Sequence, residues 1–156
     1  MKTQKSYTVD EALRAMENFC AFQERCHKEV EQKLYDLKMI PEAKEKIILH
    51  LMQHNFLNEE RFSKAFVRGK FSVKKWGRIK IISELKFKNI SSYNIKTALK
   101  EINSEEYKNT LTQLAEKKIP LIKEANLFKK RNKLSTFLIS KGYESSLVFE
   151  VVKSIV

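Results

Sequence analysis

KLYDLKMIPEAKEKIILHL (residues 33–51), ELKFKNISSYNIKTALKEI (84–102) and FLISKGYESSLVFEVVKSI (137–155) are one helical phrase written three times. Leu34, Leu85 and Leu138 hold one slot, and Met39, Ile90 and Tyr143 hold another. Further on, Ile47, Ile48 and Leu51 correspond to Ala98, Leu99 and Ile102, and then to Val151, Val152 and Ile155. A period of about fifty residues marks a stack of like units, each burying its apolar face against the next. The expected fold is all-α: an elongated, curved, solenoid-like stack of three tandem three-helix repeats. Such a scaffold offers a long surface instead of one deep pocket.

Working outward, the chain divides into a flexible lead-in (1–7) and repeats at 8–55, 56–103 and 104–156. Thr8 caps the first helix, with Glu11 completing a capping box, and Leu13, Met16 and Phe19 form its stripe. A second helix over about 24–38 turns Val30, Leu34 and Leu37 inward, and Pro41 opens the third. Asn58 caps the next helix, whose expected inner face is Phe62, Ala65, Phe66 and Gly69. Trp76-Gly77 starts the following one, with Ile81, Ile82 and Leu85 inside. Ser91 or Ser92 caps the helix carrying Ile95 and Ala98, and Ser104 opens the third repeat with Leu111, Leu114 and Ala115 inside. Pro120 ends or bends that helix. Phe128 to Lys141 forms the middle helix, stopped by Gly142.

The 156 residues contain only three glycines and two prolines, which fits a chain that is mostly helix, and an apolar fraction of 42% is too high for a disordered tail. Cys20 and Cys26 project about 120° apart on a helix and read as reduced thiols. No signal peptide or membrane-spanning run is evident, so a soluble, cytoplasmic protein is expected.

Charge is segregated. Residues 1–60 hold nine Lys/Arg and eleven Asp/Glu, whereas 61–90 hold ten against Glu84 alone and 117–143 hold eight against Glu124 alone. The formal net charge is +12. Solubility is served by a mixture of signs, so stretches this one-sided point to an anion-binding band. Arg61, Lys64 and Arg68 fall on one side of a helix, and Lys70, Lys74, Lys75, Arg78 and Lys80 continue the band around the next junction. Lys129, Lys130 and Arg131 occupy the equivalent place in repeat three. Arg61, Arg68 and Lys75 are expected to be reversible in charge without loss of the fold. Arg78 lies close in helical angle to Ile82 and Leu85, so it either caps a neighbouring helix or reaches an anion from a helix start. Trp76 either packs at a junction or stacks on a base.

Catalytic signatures are lacking. His50 and His54 share a helical face, but only Cys26-His27 could complete a metal site, so no metal is expected. There is no phosphate loop and no nucleophile elbow. Glu59-Glu60 suits the positive end of a helix better than acid–base work.

The run Asn58 to Arg68 (NEERFSKAFVR), then Lys75-Trp76-Gly77-Arg78-Ile79-Lys80, Glu84-Leu85 and Lys88-Asn89-Ile90, resembles the central signature of the RecX regulatory proteins. The resemblance extends from about Thr8 to Val156, with the outer units matching mainly in apolar spacing. It implies a non-enzymatic modulator, without cofactor, that binds in the groove of the RecA–DNA filament and limits its growth, ATPase and strand exchange. Arg61, Arg68, Trp76, Gly77, Arg78 and Lys80 correspond to signature positions. The implied partners are the RecA filament and, weakly, single-stranded DNA; no membrane is involved, and the protein is expected to be a monomer. Asn89 and Lys38 stand where the family has glycine, and Lys38 is expected to disturb the turn in unit one. The rival from composition alone is a general nucleic-acid-binding module without a recombinase partner. A metal-dependent nuclease would need an acidic cluster beside the basic band.

Overall fold

The computed structural model describes residues 6–156, so residues 1–5 of the expected lead-in lie outside the described residues. Among the described residues all regular structure is helical. Unit one comprises α1 (Val9–Phe22), α2 (His27–Asp36) and α3 (Pro41–Gln53). Unit two comprises α4 (Glu59–Ser72), α5 (Arg78–Phe87) and α6 (Ser92–Leu99), and unit three α7 (Ser104–Lys118), α8 (Leu127–Ser140) and α9 (Ser145–Ile155).

Most starts have a local cause. Thr8 and Glu11 form the expected capping box, at 3.1 Å in both directions. Asn58, Ser91, Asn103 and Asn126 cap α4, α6, α7 and α8 by accepting a backbone N–H three residues on, and Pro41 stands in the first turn of α3. The first helix of unit three begins at Ser104, with Asn103 as its cap. Past Lys118 the chain tightens into a 3-10 turn, Ile119–Leu121, around Pro120.

The internal repeat reaches the level of single hydrogen bonds. Each middle helix ends on a left-handed residue: Lys38 at φ 58°, Asn89 at 60° and Gly142 at 101°. The next N–H then donates back to the repeated leucine, Met39 to Leu34 at 3.1 Å, Ile90 to Leu85 at 3.1 Å and Tyr143 to Leu138 at 3.4 Å. This is the Schellman closure in triplicate. Lys38 adopts it too, so the turn of unit one does not differ as expected; its two closing hydrogen bonds, Met39 N–H to Leu34 and Lys38 N–H to Tyr35, offset the cost of a Cβ in that conformation.

Two cores result. Ala12, Met16, Val30, Leu34, Ile47 and Leu51 form the core of unit one. The cores of units two and three merge through Phe71, Ile81, Leu85, Tyr107, Leu134, Leu138 and Tyr143, and Cys26 reaches into this second core from unit one. The extensively packed helix pairs all lie within a unit. The accessible surface is 10406 Å², against about 8200 Å² for a compact monomer of this mass, so the stack is extended. Two expectations change. The inner face of α4 is Phe62, Ser63, Val67 and Phe71, rotated from the expected one, and a Cβ on Gly69 would meet nothing within 4 Å. Ser63 can be inside because its hydroxyl donates to the Glu59 carbonyl at 2.6 Å. Also, α2 starts at His27, because Cys26 takes the extended cap position, with its N–H on the Glu29 carboxylate at 3.3 Å.

Candidate functional site

The basic residues expected to form one band divide by chemistry. The arginines are held by the protein itself. Arg61 donates from Nε to Glu24 and from Nη2 to the Asn55 and Phe56 carbonyls at 2.9 and 3.3 Å. It thereby closes the C-terminal end of α3 and ties it to the α1–α2 turn. The expectation that Arg61 is displayed and freely reversible is corrected: its planar fork meets three acceptors at once, and a glutamate there would face Glu24. Arg68 is more exposed and pairs with Glu101 at 3.5 Å, beyond the end of α6. Arg131 donates to the Val156 carbonyl at 3.1 Å from Nε and 2.6 Å from Nη2.

Arg78 resolves between its two readings in an unanticipated way. It reaches an anion, and the anion belongs to its own chain: Nη1 lies 2.7 Å from Glu144 at the start of α9. Its guanidinium carbon lies 3.9 Å from the centre of the Tyr107 ring. The Tyr107 hydroxyl donates to the other Glu144 oxygen and accepts the Arg78 backbone N–H at 3.0 Å. Burial, reinforced by the hydrogen bond to Glu144, pushes the Tyr107 hydroxyl well above its ordinary value.

The lysines are mostly not held. Lys64 pairs with Glu60 at 3.1 Å within α4. Lys70, Lys74, Lys75, Lys80, Lys129 and Lys130 have no carboxylate partner within 4.0 Å among the described residues. Two of them lie over Trp76 and two precede it in the chain. Its half-buried ring packs on the core, with the Lys70 and Lys80 ammonium groups 4.9 and 4.4 Å from its centre. Lys74 and Lys75 lie exposed in the turn just before it.

That turn is built tightly. Lys75 sits at φ 60° and its carbonyl accepts the Tyr143 hydroxyl at 2.8 Å. Gly77 N–H donates to the Lys141 carbonyl at 2.8 Å and Ile79 N–H to the Gly142 carbonyl at 2.9 Å. The C-terminal end of α8 thus feeds the orphan amides of α5 directly. A Cβ on Gly77 would lie 2.3 Å from the Gly142 backbone, so only glycine permits the approach. The clamp brings Lys141 into the group, with Nζ 3.5 Å from the Lys74 carbonyl.

Five lysines and an indole are therefore brought to the place where units two and three join by backbone hydrogen bonds. Lys141 was missed as a site residue, although its place before Gly142 marked a helix end. Lys129 and Lys130 stand near the other end of α8, about 18 Å from Lys141 by helical rise. They extend the band and do not belong to the cluster. Trp76 takes the packing role expected of it, with its ring on the core, and in addition carries two cations on that ring.

The remaining candidates are quiet. His50 and His54 lie with ring centres 4.3 Å apart and planes tilted by 40°, and His50 Nε2 lies 3.7 Å from Glu17. Among the described residues no three His, Cys, Asp or Glu side chains are placed to hold a metal. Burial pushes the Cys26 thiol up to about 11, and burial also raises Cys20, so both thiols are poor nucleophiles at neutral pH. Glu59 caps α2 by accepting the His27 N–H at 3.2 Å. No helix among the described residues is long and apolar enough to cross a membrane.

Residues 58–99 match the second three-helix domain of RecX, and residues 105–152 the third. Regulatory protein RecX of Clostridium beijerinckii is 30% identical over 148 residues, covering 94% of this chain and 67% of the relative. Its counterpart in Clostridium botulinum strain Alaska E43 is 34% identical over 131 residues, covering 83% and 61%. The chain thus spans roughly two thirds or less of the length of these relatives. The crystal structure of RecX from Lactobacillus salivarius superposes with a TM-score of 0.84 at 23% identity, covering 94% of this chain and 96% of that one, a likeness of fold.

Proposed function

The chain belongs to the RecX family, and we propose that it is a non-enzymatic modulator, mainly an inhibitor, of the RecA recombinase. In this reading it lies in the groove of the RecA–DNA filament as a cytoplasmic monomer and obstructs filament growth, ATP turnover and strand exchange. An extended stack suits a helical groove because successive units meet successive subunits. The observation that carries the reading is the unpaired lysine cluster around Trp76. Lys70, Lys74, Lys75, Lys80 and Lys141 meet phosphates, while Lys129 and Lys130 continue along α8. Lysines without carboxylate partners lose no internal ion pair on binding, whereas Arg61, Arg68 and Arg78 would have to break theirs. With about five phosphates neutralised on a single strand, log affinity falls with log salt at a slope near −3.5.

The test is RecA-dependent ATP hydrolysis on saturating single-stranded DNA, titrated with this protein. Suppression at sub-stoichiometric to stoichiometric protein, weakened at least tenfold by Lys74→Glu with Lys75→Glu, is expected. Tight DNA binding with no effect on RecA would replace this reading with that of a general nucleic-acid-binding module. Magnesium-dependent DNA cleavage would overturn the non-enzymatic assignment.

A further inference from the structure

Unit three carries a second basic feature that the lysine cluster does not include. Between the 3-10 turn and α8 lies an open groove of about 500 Å³. Leu121, Ile122 and Phe137 line its apolar part, and Lys118, Lys123 and Lys133 supply its charge. Leu121 is 70% exposed, with nothing packed over it. Lys118 holds its ammonium 4.6 Å from the centre of the Phe137 ring.

We propose that this groove docks an acidic protein segment bearing an apolar anchor residue. Three observations select that occupant. Residues 117–143 contain eight basic residues and one acidic residue, Glu124, so the charge complement must come from outside. Lys133 is already paired with Glu124 at 3.1 Å, which leaves Lys118 and Lys123 as the cations free to take the carboxylates of a partner. The only aromatic ring in the groove is half-buried and has a lysine over it. A nucleic-acid base would have to displace that lysine to stack, whereas an aliphatic side chain need only cover Leu121 and Ile122. The inference goes beyond the filament reading and stands independently of whether the Trp76 cluster meets DNA.

The experiment uses two fluorescein-labelled probes against the full chain. One is a peptide of about twelve residues alternating Glu/Asp with Leu/Phe; the other is an oligothymidylate. A control peptide replaces Leu/Phe by Ser. The variants are Lys118→Glu with Lys123→Glu, Lys74→Glu with Lys75→Glu, and the uncharged change Leu121→Ser. All these sites lie at the surface, and circular dichroism melts verify the fold.

The groove double variant should weaken the amphipathic peptide at least tenfold, and Leu121→Ser about threefold to tenfold. The Lys74/Lys75 pair, with the same change in charge, should leave the peptide within twofold and weaken the oligonucleotide. The serine-containing peptide should bind at least fivefold more weakly than its parent. Peptide binding that falls equally with either double variant reduces the effect to net charge and overturns the proposal. An oligonucleotide weakened more by the groove variant than the peptide is reassigns the groove to nucleic acid. Absence of peptide binding overturns it outright.

Discussion

The two junctions between units are built from equivalent positions by different chemistry. Cys26 and Asn89 at the first correspond to Gly77 and Gly142 at the second. At the second junction, α8 runs end-on into α5 and the two backbones hydrogen-bond directly. At the first, both positions carry a Cβ and side chains bridge instead. Lys28 donates to the Phe87 carbonyl at 2.7 Å and lies 3.8 Å from its ring centre. His27 N–H finds Glu59, and Arg61 finds Glu24. The joint with a side chain at both positions is bridged by long side chains, and the joint with glycine at both is a backbone clamp. Units two and three then share a core while unit one keeps its own, and the lysine cluster lies across the rigid joint.

The largest test breaks the clamp. Gly77→Ala puts a methyl group into the Gly142 backbone, so the helix ends must separate and the direct hydrogen bonds are lost. A loss of about 3 kcal/mol in urea unfolding is expected, with hydrogen exchange rising at Gly77 and Ile79. A loss below about 1 kcal/mol would mean that the joint yields and is no clamp.

Alkaline pH tests both joints in sequence. Cys26 has an ordinary value of 9.0 and a folded value near 11. Below pH 9 both states hold the proton; between 9 and 11 the unfolded chain releases it first, so stability falls, by on the order of 2 kcal/mol. Tyr107 and Tyr143 start from 10.0 and are also raised, chiefly by burial, so the second junction holds its full stability to about pH 10 and then loses it. Proteolysis across unit one should therefore appear at lower pH than in units two and three. Cys26→Ala should shrink the first phase to the part contributed by buried Cys20, and a first phase of undiminished size has another origin.

Arg61→Ala addresses the softer joint alone. About 1 kcal/mol is expected, since the pair is partly exposed, with faster exchange confined to α3 and the start of α4. The reversal Arg61→Glu should cost more, because it sets two carboxylates together. Lys74→Glu, by contrast, should leave the melting temperature nearly unchanged.

These contrasts also explain what could be read from the sequence. The helices and the threefold repeat were legible because apolar spacing is a local signal, and Leu34, Leu85 and Leu138 each carry the same turn. The division of the basic band was not. Arg61 meets Glu24 across 37 residues and Arg78 meets Glu144 across 66. A charge count over 61–90 sees only Glu84 and overstates the free cations. Tyr107 and Tyr143 occupy apolar slots, so nothing local announced that their hydroxyls would hold the second junction. The chemistry of the side chains did carry a hint: arginine's rigid fork suits fixed carboxylates, and lysine's flexible ammonium suits a mobile anion.

The smallest test sharpens the comparison by changing only one half of a junction. Asn89 stands at φ 60° where unit three has Gly142. Asn89→Gly relieves the left-handed strain, offset by the greater freedom of glycine in the unfolded chain, for a net gain of about 0.5 kcal/mol. It should not create a backbone clamp at the first junction, because Cys26 keeps its Cβ and its N–H remains on Glu29. Exchange at Cys26 and Lys28 should stay as in the wild type while the melting temperature rises slightly. Strong new protection at those amides would mean that Asn89 alone holds the first joint open, and that the difference between the two junctions rests on one side chain instead of two.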